Sequence, residues 1–194
     1  VFCQRTNFVD LNNDGNLDAF SCHDVQPNVY FLNNGSGQFT FYQSNVTPGA
    51  MLLGIHPNGG NYGSIWVDYD NDGDLDAYLV VNDLNNEFPS TFRKIKDDGT
   101  GFTNDKLYRN DWNDSLQHPV FTDVTKAAGI TWEGNGLGIN ILDINRDGWK
   151  DIYISNDYLS GNILYVNNKN GTFTNRNSEY FKHGSLNAMG NDAG

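Results

Sequence analysis

Three nine-residue stretches carry side chains that could grip a metal ion: DLNNDGNLD from Asp10 to Asp18, DYDNDGDLD from Asp68 to Asp76, and DINRDGWKD from Asp143 to Asp151. Each reads D-x-[DN]-x-D-G-x-x-D. Oxygen-bearing side chains fall at positions 1, 3, 5 and 9, with Gly at position 6. This layout suits Ca²⁺, a hard cation that takes 6–8 oxygen ligands at about 2.3–2.6 Å. Alternate residues can turn carboxylates inward, position 7 can offer its backbone carbonyl, and the Gly permits the sharp turn. Mg²⁺ fits less well, because it demands near-octahedral geometry and keeps its waters.

The loops are not EF-hands. An EF-hand closes with a Glu at position 12 and sits between helices, whereas position 12 here is Ser21, Leu79 or Ile154. The closing ligand is expected to be the position-9 Asp: Asp18, Asp76 or Asp151. The elements that must position these loops read as strands. Phe8-Val9, Ile65 to Val67 and Ile139 to Leu142 lead in; Leu17 to Phe20, Leu75 to Val81 and Ile152 to Ile154 lead out. Short runs rich in β-branched and aromatic residues, bounded by Gly, Asn and Asp, are strand signals. Each loop is therefore expected to be the turn of a β-hairpin.

Composition fits this reading. The chain has 194 residues with 21 Asp but only 3 Glu, and eleven of the Asp lie inside the three loops. The acidity is thus expected to be ligand acidity, and three bound Ca²⁺ would halve the formal net charge of −12. Such a charge argues against nucleic acid or an anionic membrane as the main partner. No apolar run is long enough to span a membrane as a helix. Val1 already reads as part of a strand pattern, so the sequence is not expected to open on a signal peptide. Millimolar extracellular Ca²⁺ is the natural supply for loops of this kind, so an extracellular, secreted or cell-surface location is expected. Cys3 and Cys22 flank the first loop; a disulfide and two buried thiols are both compatible with that placement. The sequons at Asn34, Asn45, Asn113 and Asn170 add little in a chain with 29 Asn.

The repeat extends beyond the loops. An Asp recurs after each lead-out strand: Asp24, Asp83 and Asp157. Turn capping or an acidic ring near a central axis would account for it. Third strands follow at Val29 to Leu32, Lys106 to Arg109 and Ile163 to Val166. Turns are expected at Asn33 to Gly37, Asn110 to His118 and Asn167 to Gly171. Fourth strands contain Phe39-Thr40, Phe121-Thr122 and Phe173-Thr174. Four antiparallel strands per unit is the pattern of a β-propeller blade. The units run approximately over residues 1–61, 62–136 and 137–194. Tyr62-Gly63, Leu137-Gly138 and Met189-Gly190 recur in register, with a fourth loop due just past Gly194. The expected fold is all-β: about three blades of a larger propeller.

At these residues the chain resembles the FG-GAP/VCBS repeat family, whose relatives include the integrin α-subunit propeller. NFVDLNNDGNLDAFSCHDVQPNVYFLNNGSGQF and the LYRNDW and FTDVTKAAGI segments look closest to the cartilage acidic protein (ASPIC/UnbV) group. The resemblance implies a calcium-stabilised seven- or eight-bladed propeller, secreted or displayed at a cell surface, serving adhesion or ligand binding. By that likeness Asp10, Asn12, Asp14 and Asp18 would give side chains to a metal, with the Asn16 carbonyl. Asp68, Asp70, Asp72 and Asp76 would do so with the Asp74 carbonyl, and Asp143, Asn145, Asp147 and Asp151 with the Trp149 carbonyl. Three Ca²⁺ follow, one per loop. The pattern departs at Arg5, where the other units have Gly63, Gly138 and Gly190, and at an insertion from Leu84 to Asn104 in the second unit.

The second loop holds five Asp and no base, whereas the third contains Arg146 and Lys150, so the second is expected to bind most tightly. The insertion carries Phe88, Phe92, Arg93, Lys94 and Lys96, a basic and aromatic set in an acidic chain. Loops on a rigid scaffold often carry binding; a solvated surface loop is the plainer alternative. Catalysis finds little support. His23, His56, His118 and His183 follow no ligand or triad spacing, neither Cys sits in a redox or nucleophile motif, and no phosphate-cradling Gly loop occurs. The expected function is a non-enzymatic binding or adhesion module whose ligand is a protein or carbohydrate. The propeller of a secreted, polysaccharide lyase-like enzyme and a structural spacer in a surface complex are the other classes. A groove with Tyr, Trp and carboxylates together would favour sugar.

Overall fold

The lead-out strand of each unit carries the longest apolar run, and the sheets are built around it. The computed structural model describes residues 3–23, 26–43, 60–82, 94–158, 160–185 and 187–192, leaving aside the side chains of residues 3 and 4. The described residues form three four-stranded antiparallel sheets. The first is β1 (Cys3–Val9), β2 (Asp18–His23), β3 (Val29–Asn33) and β4 (Phe39–Gln43). The second is β5 (Asn61–Val67), β6 (Asp76–Val81), β7 (Lys106–Asn113) and β8 (His118–Asp123). The third is β9 (Gly136–Leu142), β10 (Asp151–Asn156), β11 (Ile163–Asn167) and β12 (Phe173–Asn175). Within each sheet the strands lie in chain order, the blade-like meander expected from the sequence. A single helical turn, α1 (Asn177–Tyr180), follows. The first strands β1, β5 and β9 stand side by side in that order.

One expected turn is shorter than the sequence suggested. Asn110 to His118 reads as a turn, but β7 runs on to Asn113 and β8 starts at His118. Arg109 to Asn113 pair with His118 to Thr122, so only residues 114–117 make the turn. Polar residues here pair as a ladder because the sheet edge supplies partners that composition alone cannot reveal.

Period-two alternation in β6 explains how the sheets stack. Every residue of β6 is buried. Ala77 and Leu79 face the first sheet, among Val9, Leu11, Phe20, Tyr30 and Phe121. Tyr78 and Val80 face the third, among Leu107, Ile139, Ile152, Ile154, Tyr165 and Phe173. A strand covered on both faces reads as a continuous apolar run rather than an alternating one. Each fully buried aliphatic side chain contributes about 1.5–3 kcal/mol.

The first sheet has no such cover on its other face among the described residues. Phe8 pairs with Ala19, Ala19 with Phe31, and Phe31 with Phe41, making one apolar row across all four strands. Phe8 is 67% exposed, and Phe39 and Phe41 are 47% and 44% exposed. The positions matching Phe39 in the later sheets are covered. Phe39 pairs with Asn33 as Phe121 pairs with Asn110 and Phe173 with Asn167. Phe121 and Phe173 are both buried against the preceding sheet.

At the far side, residues 187–192 lie along the third sheet. Ala188 N–H donates to the Asn156 carbonyl at 3.1 Å. A Cβ on Gly138 would sit 2.9 Å from Gly190 Cα. The Met189-Gly190 pair seen in the sequence thus abuts the equivalent Gly138. Arg5 meets Gly63 in the matching place: a Cβ there would lie 3.6 Å from the Arg5 Cδ.

Candidate metal centre

The three Asp-rich stretches link β1 to β2, β5 to β6 and β9 to β10, so all three are hairpin turns, as the sequence suggested. Their local geometry repeats. The residue at position 4 has left-handed backbone: Asn13 at φ 56°, Asn71 at 60° and Arg146 at 57°. The Gly at position 6 is also left-handed, at 83°, 99° and 88° for Gly15, Gly73 and Gly148. Asn tolerates that region, whereas Arg is strained there.

Carboxylates wind each turn by accepting backbone N–H groups. The position-1 carboxylate accepts from positions 5 and 6: Asp10 from Asp14 and Gly15, Asp68 from Asp72 and Gly73, Asp143 from Asp147 and Gly148. The position-5 carboxylate accepts from position 7: Asp14 from Asn16, Asp72 from Asp74, and Asp147 from Trp149. The N–H of Trp149, together with Lys169, holds the Asp147 carboxyl below the usual range.

The position-9 Asp is the deepest member. Asp18, Asp76 and Asp151 have no exposed surface. Each binds one N–H of its own loop and one of the third strand of its sheet. Asp18 takes Leu11 at 2.8 Å and Asn33 at 2.7 Å; Asp76 takes Tyr69 at 3.1 Å and Asn110 at 2.9 Å; Asp151 takes Ile144 and Asn167 at 2.9 Å each. Burial raises all three carboxyls. Asp76 reaches about 8: burial drives it up, the two N–H donors oppose this, and Asp70 and Asp72 add repulsion. A bare carboxylate is poorly tolerated there, and a nearby cation would offset the cost.

Among the described residues, three carboxylates converge in the second loop. Asp68, Asp70 and Asp76 each place a carboxylate oxygen within 4.8 Å of the others. One oxygen of Asp70 is buried with no hydrogen-bond partner, and burial with repulsion from Asp72 and Asp68 raises this carboxyl. Asp72 stands outside that group of three. In the first and third loops position 3 is an amide. Asn12 donates to Asp14 at 3.1 Å and Asn145 to Asp147 at 2.8 Å, so each holds its position-5 carboxylate in place. Lys169 also contacts Asp147 at 3.2 Å, a competing cation in the third loop. The donor set is all oxygen, which suits Ca²⁺. Asn16, Asp74 and Trp149 occupy position 7, where a backbone carbonyl would complete such a set.

Sequence reasoning missed the third-strand Asn. Asn110 Nδ2 donates to the Leu11 carbonyl of the first loop at 3.0 Å and to Leu75 at 3.2 Å. Asn167 Nδ2 donates to the Tyr69 carbonyl of the second loop at 2.8 Å and to Lys150 at 3.3 Å. Asn33 Nδ2 makes the within-sheet half of this pattern, to Leu17 at 3.1 Å. The recurring Asn after each third strand was the available signal.

The remaining sequence candidates are dispersed. Asp157 accepts the N–H of Tyr158 at 2.7 Å, a turn cap; Asp24 and Asp83 lie outside the described residues. So do Phe88, Phe92, Arg93 and Asn45, and with them residues 84–93 of the insertion. Lys96 folds back: its N–H donates to Glu133 at 2.6 Å and its ammonium sits 5.4 Å from the Phe102 ring centre. Cys22 is buried, while the side chain of Cys3 lies outside the description. His118 bonds the Tyr30 hydroxyl at 2.9 Å inside an aromatic cluster. Among the described residues, no helix is long and apolar enough to cross a membrane.

No curated protein matches the chain, so the narrower resemblance to the cartilage acidic protein group gains no support. Residues 10–79, which span the first loop, the rest of the first sheet and the second loop, match the family described as FG-GAP-like repeat, and it is to that repeat that the chain is similar.

Proposed function

We propose that this chain is a calcium-stapled part of a larger β-propeller, serving as a binding or adhesion module at an extracellular or cell surface. The observation that carries the metal reading is the convergence of Asp68, Asp70 and Asp76 on one another around a buried, unpartnered Asp70 oxygen. Carboxylates held this close repel unless a cation lies between them. The first and third loops share the same backbone bonds and would take Ca²⁺ through the same positions. The ion's role is to lock each hairpin so that the position-9 Asp and the third-strand Asn can tie neighbouring sheets.

The open face of the first sheet supports the larger ring. Phe31 and Phe39 stand where the later sheets bury Tyr108 and Tyr165, and Phe121 and Phe173, and Phe8 and Phe41 extend the same exposed row. A further sheet of the same type would cover them and offer its loop carbonyl to Asn33. The extracellular reading rests on calcium supply. Extracellular calcium modules have dissociation constants of about 10⁻⁴–10⁻³ M. Equilibrium dialysis against Ca²⁺, followed by metal analysis, is expected to give three ions per chain with weak, Mg²⁺-resistant binding. Retention of no calcium at millimolar supply would remove the metal reading; submicromolar affinity in every loop would remove the extracellular one.

A further inference from the structure

The two boundaries between sheets differ at the loop end. Between the first and second sheets the loops are zipped together: Asn13 Nδ2 donates to the Gly73 carbonyl at 3.1 Å and to the Asp74 carboxylate. Between the second and third sheets, Asn71 holds the same loop position and makes no such bond among the described residues. A cleft of about 440 Å³ opens there instead. That volume lies within the roughly 300–1,000 Å³ of small-molecule sites.

The lining has a distinct chemistry. Val124 and Ala128 give apolar carbons, Trp149 an aromatic ring, and Asp70 a carboxylate. Arg109 spends Nε and Nη2 on Asp111, leaving Nη1 unbonded among the described residues. The indole N–H of Trp149 and the amide N–H₂ of Asn170 are likewise unspent there. A ligand suited to this cleft has an apolar face to lie against a ring and several hydroxyls to meet donors and an acceptor. A free anion fits less well, since Asp70 lines the cleft and the cleft's two cations are already paired, Arg109 with Asp111 at 3.0 Å and Lys169 with Asp147 at 3.2 Å. Arg109 and Trp149 are replaced at the first boundary, where Leu32 matches Arg109 and Asp74 matches Trp149.

We infer that the cleft between the second and third loops binds a neutral pyranose unit of a saccharide, with Trp149 under the sugar face and Arg109, Asn170 and Asp70 on its hydroxyls. The inference deepens the binding-module reading by naming its ligand class, and rests on it. Methyl glucopyranoside, galactopyranoside and mannopyranoside, titrated into the calcium-saturated, ¹⁵N-labelled chain, test it. At least one is expected to shift the Trp149 indole resonance saturably. Trp149→Ala, which keeps the backbone carbonyl of the loop, is expected to weaken that binding about tenfold, followed at the Asn170 amide. Arg109→Met gives a second, independent loss. No saturable shift with any glycoside overturns the inference, as does binding indifferent to both substitutions or an equal response to cyclohexanol. Calorimetric calcium titration of the same sample separates the two readings. Calcium-loaded protein that ignores the sugars sinks only the cleft; sugar binding by a chain that takes no calcium sinks only the metal loops.

Discussion

The side-chain amide of Asn110 donates to the backbone carbonyl of Leu11, 3.0 Å away and 99 residues earlier. Asn167 does the same to Tyr69 across 98 residues at 2.8 Å. Each bond ties a third strand to the metal loop of the sheet before it. The same Asn offers its own N–H to the position-9 Asp of its sheet. One residue type therefore couples loop closure within a sheet to register between sheets.

Truncating this amide leaves one buried and one half-buried carbonyl unmet. Asn110→Ala and Asn167→Ala are each expected to lower stability by about 1–3 kcal/mol. Because Leu11 sits at position 2 of the first loop, Asn110→Ala is also expected to weaken calcium there and leave the third loop unaffected. Urea melts and calcium titrations of both variants check this; unchanged stability in either would break the link.

The three matched phenylalanines predict unequal costs. Phe121 and Phe173 are buried between sheets, whereas Phe39 is 47% exposed. Phe121→Ala and Phe173→Ala are expected to cost about 3–5 kcal/mol, and Phe39→Ala well under half of that. In a protein with a further sheet on the open face, Phe39→Ala becomes as costly as the other two. Denaturant midpoints for the three variants, in this chain and in any longer form, read out the difference.

The third loop carries a removable handicap. Arg146 occupies the left-handed position that the other loops give to Asn, and Lys169 competes for Asp147. Arg146→Asn relieves backbone strain and removes a repelling charge, so calcium at this loop is expected to tighten several-fold. The second loop remains the tightest. Calorimetric titration of single-loop knockouts such as Asp68→Ala and Asp143→Ala ranks the sites; a third loop tighter than the second contradicts the ordering.

Asp105 gives a pH dependence separate from the loops. It is buried between the Tyr78 hydroxyl at 2.7 Å and the Val81 N–H at 3.0 Å. Burial pushes its carboxyl up to about 7, against those two donors, from the ordinary 3.8. The folded chain keeps this proton where the unfolded chain has lost it, so stability is full below the unfolded pKa. It falls as pH rises from about 4 to about 7, by at most about 1.4 kcal/mol per unit. Asp105→Asn removes the proton from the comparison. In saturating calcium the variant is expected to gain on the wild type between about pH 5 and about pH 7. A stability difference constant across that range would show that Asp105 does not titrate with folding.

Much of this was legible in the sequence because it is local. The loop motif fixes the hairpin turns, since Asp at positions 1 and 5 and Gly at position 6 act within nine residues. The Phe-Thr pairs marked fourth strands because Phe39, Phe121 and Phe173 share one register. The illegible parts are long-range. Nothing near Asn110 announces Leu11 as its partner, and nothing near Asp105 shows that Tyr78 and Val81 enclose it. The extension of β7 through Asn113 was hidden for the same reason: Asp111 and Asn113 look like turn residues until β8 pairs with them. The cleft was invisible because Asp70, Arg109, Trp149 and Asn170, far apart in the chain, meet only in the folded structure.

Thermal melting of the chain in calcium and in chelator tests the central claim most directly. Three sites at a hundredfold excess of ion over the dissociation constant add about 2.7 kcal/mol each at most, a rise in Tm of roughly 15–30 °C for a chain of this size. The account predicts a calcium-dependent rise of that order, abolished in stages by Asp10→Ala, Asp68→Ala and Asp143→Ala. An identical melting curve with calcium and with chelator would contradict it.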